Sequence, residues 1–319
     1  MAANVENMFF ANNEVPWHGL GNPIPDSDLF DIAKGIKLAG LDWEVGLKKL
    51  QTMDNEPVSH RACYRKTDGR ILGVVGPRWT PLQNWEMFDW FQPWLDTKVC
   101  SLHTAGSLCD GEKVWVLAQV IDNPVMEIAK GDEVAKFILL ANSHDGTMAV
   151  RAGFTSVRVV CCNTLSMAIA NKASKLIRIR HSASVNTNIG LIRDIMDLAN
   201  KEFEASAEQY KFLASKQVHS GDLRKYVKIV LGVDTDKPEI DLPTKTLNII
   251  TEIINTIDSG KGSDIKIIRG TYWSAYNGVA EYLSWKKGRN ASNRLNSLWF
   301  NEGAVMNKLA LETAISMAT

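Results

Sequence analysis

The stretch that decides the fold is residues 137–160, with the sequence FILLANSHDGTMAVRAGFTSVRVV. An apolar run at residues 137–141 precedes the pair Asp145-Gly146, and a second apolar run begins at Val157. Asp-Gly is typical of a two-residue hairpin turn, because both central residues of that turn need positive φ angles, which Asp and Gly tolerate well. The stretch therefore predicts two adjacent strands joined by a turn.

Two further Asp-Gly pairs have the same surroundings. Asp68-Gly69 precedes an apolar run at 71–75, and Asp110-Gly111 precedes one at 114–120. Repeated hairpins predict an antiparallel sheet. Residues 84–96 have the apolar spacing of a helix, and from residue 186 onward that spacing predominates. The predicted fold is α+β: a hairpin-rich antiparallel sheet core with packed helices, followed by a mainly helical C-terminal region.

These patterns divide the chain into three predicted segments. Residues 1–57 form an N-terminal covering segment with a short helix near 29–39, residues 58–185 form the α+β core, and residues 186–319 form the helical region. Within the core, Asn163-Thr164 is a candidate cap for a short helix that runs to about residue 173. Residues 176–181 alternate like a strand.

Composition narrows the class of protein. Hydrophobic residues make up 45% and charged residues 23%, which is ordinary for a globular chain. No apolar run reaches the roughly 20 residues that cross a bilayer, and the start lacks a secretory pattern. Five irregularly spaced cysteines suggest reduced thiols. We therefore expect a cytoplasmic protein with no membrane contact.

The charge pattern is uneven, although Lys plus Arg equals Asp plus Glu at 36 each. Between Asp145 and Asp194 the chain has no acidic residue. Such a segment predicts a surface that contacts phosphates, and the alternative is a solvated basic face balanced by acids elsewhere. The predicted nucleic-acid-binding residues are Arg151, Arg158, Lys172, Lys175, Arg178 and Arg180, and Arg193 completes the basic set.

A cluster of aromatic residues lies between the first two hairpins. Its members are Trp79, Trp85, Phe88, Trp90, Phe91 and Trp94. Aromatic rings can stack on the bases of single-stranded nucleic acid, and Trp79 and Trp85 are the stacking candidates. The alternative is that the aromatic side chains pack a helix against the sheet.

The residue patterns that could indicate a metal site or a catalytic site are weaker signals than the basic segment and the aromatic cluster. His60-x-x-Cys63 and Cys100-x-x-His103, with Cys109 nearby, have zinc-like spacing, but strand residues three apart point to opposite faces. Cys161-Cys162, with His144 or His181 as base, would need an oxyanion site and an orienting carboxylate that the spacing does not provide. We expect structural thiols, no metal, no cofactor and no complete catalytic site.

Several strings resemble one family. Residues 15–21 (VPWHGLG), 39–45 (AGLDWEV), 142–146 (NSHDG), 157–165 (VRVVCCNTL), 270–277 (GTYWSAYN) and 293–295 (NRL) resemble the phage/plasmid-like proteins, the domain-of-unknown-function 932 group. The resemblance implies a phage, plasmid or prophage context and provides no catalytic residue. Cys162 departs from the residue type expected there. His18, in the first string, is interpreted as a packed residue of a tight turn.

The leading functional hypothesis is a nucleic-acid-binding protein of phage or plasmid replication or recombination. It would act without catalysis, for example as a single-strand DNA annealing protein that assembles into homo-oligomeric rings or filaments. One alternative is a thiol or nucleotide-processing enzyme centred on Cys161, His144 and Arg158. The other is a host-takeover or structural protein that acts by protein contacts through the last two helices.

Overall fold

The computed structural model describes residues 5–11, 21–122, 124–158, 163–165, 177–188, 199–288, 293–294, 297–298 and 301–319. The chain forms two compact units. The first comprises Met1–Pro124, Phe137–Phe154 and Lys175–Ala199, and the second comprises Val125–Lys136, Thr155–Ser174 and Asn200–Thr319. Each unit combines stretches that are separate in the sequence, because two long strands begin in one unit and end in the other.

In chain order the strands are β1 (Val5–Phe10), β2 (Asn22–Pro23), β3 (Val45–Gln51), β4 (Pro57–Arg65), β5 (Ile71–Val75), β6 (Cys100–Leu108), β7 (Lys113–Val120), β8 (Val125–Ala129), β9 (Asp132–Ser143), β10 (Val150–Arg158), β11 (Asn163–Leu165) and β12 (Ile177–Ile179). The helices are α1 (Ile32–Leu38), α2 (Asn84–Asp89), α3 (Gln92–Asp96), α4 (Ala199–Ser215), α5 (Ser220–Val230), α6 (Thr244–Ser259), α7 (Tyr272–Glu281) and α8 (Glu302–Ala318), and a π-helical turn at Tyr282–Lys286 follows α7.

The first unit contains two sheets. The larger, which continues into the second unit, has the order β11-β10-β9-β7-β6-β1-β2, with β12 also paired to β10 and β8 to β9, and the smaller has the order β3-β4-β5. The predicted α+β class is confirmed, and the strand pairs β4/β5, β6/β7 and β9/β10 flank the three Asp-Gly pairs. The prediction of two-residue turns is wrong. In β6/β7 the closing pair Leu108–Lys113 leaves four residues, of which three have positive φ.

Three strands differ from the sequence predictions. Within the predicted covering segment, β1 pairs antiparallel with β6 and β3 pairs antiparallel with β4, so both are strands of the sheets. Asn163–Leu165 is a strand rather than a helix cap, and it pairs with Ser156–Arg158. Extended hydrogen bonding to a neighbouring strand outweighs the local capping preference of Asn and Thr there.

The core of the first unit lies between α1, α2, α3 and one face of the larger sheet. Phe88, Phe91 and Leu95 are buried in it, and Trp90 is nearly so. The predicted helix at 84–96 is interrupted because Pro93, near the start of α3, cannot donate a backbone hydrogen bond to the preceding turn. Most of the aromatic cluster therefore serves the core, as the alternative interpretation held.

The second unit is mainly helical, and α7 lies at its centre with all ten residues buried. Trp273 Nε1 donates to Asp132 Oδ2 at 2.7 Å, and this bond ties α7 to the start of β9. Tyr210 of α4 hydrogen-bonds Ser156 of β10 at 3.2 Å. Among the described residues, no helix is both long and apolar enough to span a membrane.

An arginine connects the two sheets of the first unit. Arg65, at the end of β4, donates from Nη1 and Nη2 to the two carboxylate oxygens of Glu6 in β1, at 2.7 and 2.8 Å. Its Nη2 also donates to the Asp110 carbonyl at 2.6 Å, and the guanidinium lies 4.5 Å from the ring centroid of Trp43. A planar fork suits such a bidentate contact, which lysine cannot make.

We expect Arg65→Ala to lower the free energy of unfolding by about 2–3 kcal/mol, because it leaves the Glu6 carboxylate without its partner. The range is below that of a fully buried pair because the Glu6 side chain is 34% exposed. Arg65→Lys should recover only part of the loss. Urea unfolding measures the change, and Lys66→Ala, which removes an exposed cation paired with Glu44, is the control. Equal losses in Arg65→Ala and Lys66→Ala would contradict the assignment.

Candidate nucleic-acid interface

Strand β12 places two arginines on one surface. Ile179 is buried in the core, whereas Arg178 and Arg180 are exposed, as strand alternation requires. Strand β12 pairs antiparallel with β10, and Arg178 lies opposite Arg151. The structure therefore brings together three of the predicted binding residues: Arg151, Arg178 and Arg180.

The two facing arginines repel each other. Burial lowers the pKa of the Arg151 guanidinium, and the positive charge of Arg178 lowers it further. Like charges opposite each other on neighbouring strands are destabilising. In the described part of the chain, no carboxylate forms an ion pair with Arg178 or Arg180. An anion bound here would relieve the repulsion.

The other predicted residues lie at the edge of the described residues or outside them. Arg158 is the last residue of β10, and only its backbone is described. The remaining basic candidates and the thiol and turn residues lie outside the described residues: His18, Cys161, Cys162, Lys172, Lys175 and Arg193.

Trp79 packs against the segment that follows β12. Its ring stacks on His181 with a centroid distance of 4.7 Å and an interplanar angle of 25°. The neighbouring Thr80 carbonyl lies 3.1 Å from His181 Nδ1. Because a carbonyl can only accept, Nδ1 is the donor. Trp79 is partly buried, so one ring face is occupied by His181 before any ligand binds.

Trp85 is 51% exposed, more than any other tryptophan among the described residues. Its orientation follows from Asn84, which points inward and donates from Nδ2 to the carbonyls of Leu41 and Trp43 at 3.1 and 3.2 Å. Consecutive helical residues differ in direction by about 100°, so Trp85 turns toward solvent. Trp85 is thus the aromatic residue best placed to stack on a base.

A hydrogen bond connects the helix of Trp85 with the segment that follows Arg180. Asn186 Nδ2 donates to Glu86 Oε1 at 2.6 Å. The other carboxylate oxygen of Glu86 accepts the backbone N–H of Gln83 at 2.7 Å and caps α2. One carboxylate oxygen of Glu86 therefore holds the segment after Arg180, and the other caps the helix.

Sequence reasoning missed Arg61 and Arg78. Arg61 Nη2 donates to the carbonyls of Pro77 and Trp79 and so fixes the loop that carries Trp79. Arg78 is exposed in the same loop. The Arg78-Trp79 dipeptide, an arginine beside an aromatic residue, is the signal that could have identified this loop.

His144 is fully buried and cannot reach a substrate. Its Nε2 lies 2.9 Å from Asn84 Oδ1. Because Asn84 Nδ2 already donates to two carbonyls, Oδ1 must accept, and Nε2 carries the proton. Burial, together with the smaller effect of the positive charges of His181 and Arg65, lowers the pKa of His144 to about 3. His144 is therefore a neutral structural residue at neutral pH.

The zinc-like spacing is not matched by geometry. His60 is exposed, whereas Cys63 and Cys100 are fully buried, and burial raises the pKa of each of these thiols to about 12. Within the described ranges, no three His, Cys, Asp or Glu side chains cluster closely enough to hold a metal ion.

The buried neutral His144 predicts a specific acid sensitivity. Between about pH 6.5 and pH 3 the unfolded chain binds a proton at this residue that the folded chain does not, so stability falls as the pH falls, by about 1.4 kcal/mol per pH unit. His144→Gln keeps an N–H donor for Asn84 but cannot titrate. Urea unfolding at pH 7.5 and 5.0 should show a smaller loss for the variant, and equal losses would contradict the assignment.

Comparison with known proteins gives one match. No curated protein and no solved structure shows detectable similarity to the chain. The family model described as "Domain of unknown function (DUF932)" matches residues 71–299, which include α2, β10, β12 and α7. Because the match covers more than half of the 319 residues, the chain belongs to the DUF932 family.

Proposed function

We propose that this protein binds single-stranded nucleic acid, without catalysis, through the surface formed by Arg151, Arg178 and Arg180. The observation that supports this most is the pair of arginines that face each other across β10 and β12. Phosphate groups would neutralise this pair and Arg180 together. We place this activity in phage or plasmid replication or recombination in the host cytoplasm, with strand annealing as the specific candidate.

The exposed Trp85 supports a single strand over a duplex. Bases of a single strand are free to stack on an aromatic side chain, whereas bases inside a duplex are not. Asn186 connects the helix of Trp85 to the segment after Arg180, so cationic and aromatic groups lie on connected elements. Backbone contacts together with sequence-tolerant stacking would give binding with little sequence preference.

The two alternative functions, an enzyme and a protein that acts by protein contacts, are not equally supported by the structure. The enzyme hypothesis loses one of its two candidate bases, because His144 is neutral and inaccessible, and His181 remains as the other. Action through protein contacts is supported by Val305 and Leu309, which are exposed apolar residues one turn apart on α8. We assign these two residues to self-association of the nucleic-acid-binding protein, so that oligomerisation and binding are parts of one proposal.

Arg178→Ala/Arg180→Ala tests the basic surface. Each lost phosphate contact should reduce the slope of log K against log[salt] by roughly 0.7 for a single strand, so the double variant should lose about 1.4. Fluorescence anisotropy with a labelled oligothymidine at several KCl concentrations measures the slope for the variant and the parent.

The control is Arg70→Ala/Arg224→Ala. It also removes two exposed arginines, but each of these is paired with a carboxylate, Asp110 or Glu239. Its slope should equal that of the parent. Absence of binding by the parent at low salt, or equal slopes for both double variants, would refute the proposed surface.

Trp85→Ala tests base stacking. We expect binding to weaken by about 1–3 kcal/mol, while Trp85→Phe keeps most of the affinity because it retains an aromatic face. Val99→Ala removes another exposed apolar side chain of the same unit and should leave binding unchanged. Thermal unfolding verifies that each variant is folded. Equal affinities for Trp85→Ala and Val99→Ala would remove Trp85 from the interface.

A further inference from the structure

A second group of cations lies in the first unit, outside the acid-free segment of the sequence. On the smaller sheet, Lys49 of β3 lies directly opposite Arg61 of β4. Residues opposite each other on neighbouring strands point to the same face, and like charges in such a pair are destabilising. Lys49 is exposed, and so is Arg78 in the loop that follows β5. We call Lys49, Arg61 and Arg78 the second basic cluster.

The loop that carries Arg78 is held by hydrogen bonds on both sides of this residue. Arg61 Nη2 donates to the carbonyls of Pro77 and Trp79. The Trp79 N–H donates to the Gly76 carbonyl at 3.1 Å and closes a turn. Arg61 is therefore a positioning residue, because it fixes the backbone around Arg78 while the Arg78 side chain stays in solvent.

In the portion of the chain that the structure describes, no carboxylate forms an ion pair with the second basic cluster. Two other cations of the same small sheet differ in this respect. Lys66, which follows β4, pairs with Glu44 at 2.6 Å, and Arg70, which precedes β5, pairs with Asp110. The cations of the β4–β5 turn are thus neutralised within the protein, whereas an external anion would be needed to neutralise the second basic cluster.

The stacked rings of Trp79 and His181 connect this cluster with the arginines of β12. Arg78 directly precedes Trp79, and Arg180 directly precedes His181. Besides the ring contact at 4.7 Å, the Thr80 N–H donates to the His181 carbonyl at 3.4 Å. The stack therefore holds the two exposed arginines on adjoining segments of one unit.

A polyanion fits two adjoining groups of cations better than a single small anion does. Its backbone can contact both groups, and each phosphate contact adds affinity that does not depend on sequence. Proteins that bind single strands commonly track the strand with cations along a surface that also carries aromatic rings. Both features are present along the path from β12 to the loop after β5.

We propose that the nucleic-acid surface extends across the tryptophan–histidine stack to the second basic cluster, where Lys49 and Arg78 contact further phosphates of the same single strand. Arg61 holds the Arg78 loop and adds its charge to the cluster. This inference rests on the proposed function and enlarges its binding site from one group of cations to two. The protein then contacts a longer stretch of the strand than the arginines of β10 and β12 reach alone.

Lys49→Ala/Arg78→Ala tests the extension. Each lost phosphate contact should reduce the slope of log K against log[salt] by about 0.7, so the double variant should lose roughly 1.4. Fluorescence anisotropy with a labelled oligothymidine of about 16 nucleotides, the upper end of the usual site size, measures this slope. Thermal unfolding verifies folding, and Tm should not fall, because both side chains are exposed and Lys49 faces a like charge.

The matched control is Lys66→Ala/Arg70→Ala, which also removes one exposed lysine and one exposed arginine of the same unit. Both are paired with carboxylates, so the slope should equal that of the parent. Equal slopes for these two double variants, when Arg178→Ala/Arg180→Ala does reduce the slope, would overturn the extension and leave the proposed function standing. Absence of binding by the parent would overturn both.

A length series tests whether one strand reaches both groups of cations. With oligothymidines of about 4 to 16 nucleotides, the slope of the parent should increase once the strand is long enough to reach the second basic cluster. In Lys49→Ala/Arg78→Ala this increase should be absent, and an equal loss at every length would overturn the proposal. A larger loss of affinity for labelled polyglutamate than for oligothymidine in this variant would also overturn it and assign the cluster to an acidic protein.

Discussion

The side-chain amide of Asn84 is the constraint on which the first unit depends. One amide group accepts a hydrogen bond from His144 and donates hydrogen bonds to two carbonyls of the segment before β3. Buried amides of this kind are costly unless every atom is paired, so the arrangement allows few alternatives. It holds the NSHDG loop and α2 in one geometry, and the orientation of Trp85 toward solvent follows from it.

Much of the fold could be predicted from local signals. Asp-Gly pairs marked the strand connections, and apolar spacing located the helices after residue 186, because turn chemistry and periodicity act over a few residues. The β1 strand could not be predicted, since its six residues become a strand only by pairing with β6, which is distant in sequence. The prediction of a helix cap at Asn163-Thr164 was wrong for the same reason. Pairing with a partner strand decides extended structure more than the intrinsic preference of the residues does.

The candidate site was only partly predictable. Alternation in residues 177–180 correctly indicated that Arg178 and Arg180 share a face. The opposition of Arg178 to Arg151 depends on the register of β10 and β12, which a single sequence does not specify. The sequence does not show that α7 is fully buried, because its polar residues Ser274, Asn277 and Glu281 look like an exposed helix face. Only burial shows that they are unusual.

The zero net charge of the chain has a consequence for the proposed activity. At physiological salt, charges more than about 8 Å apart are screened, so only the arginines that contact phosphates contribute to binding. Three such contacts give a shallow salt dependence and modest affinity for one copy of the protein. Several copies along one strand would convert weak contacts into strong binding through effective concentration. Under the proposed function, self-association would be the means by which a neutral protein with a small basic surface holds a single strand firmly.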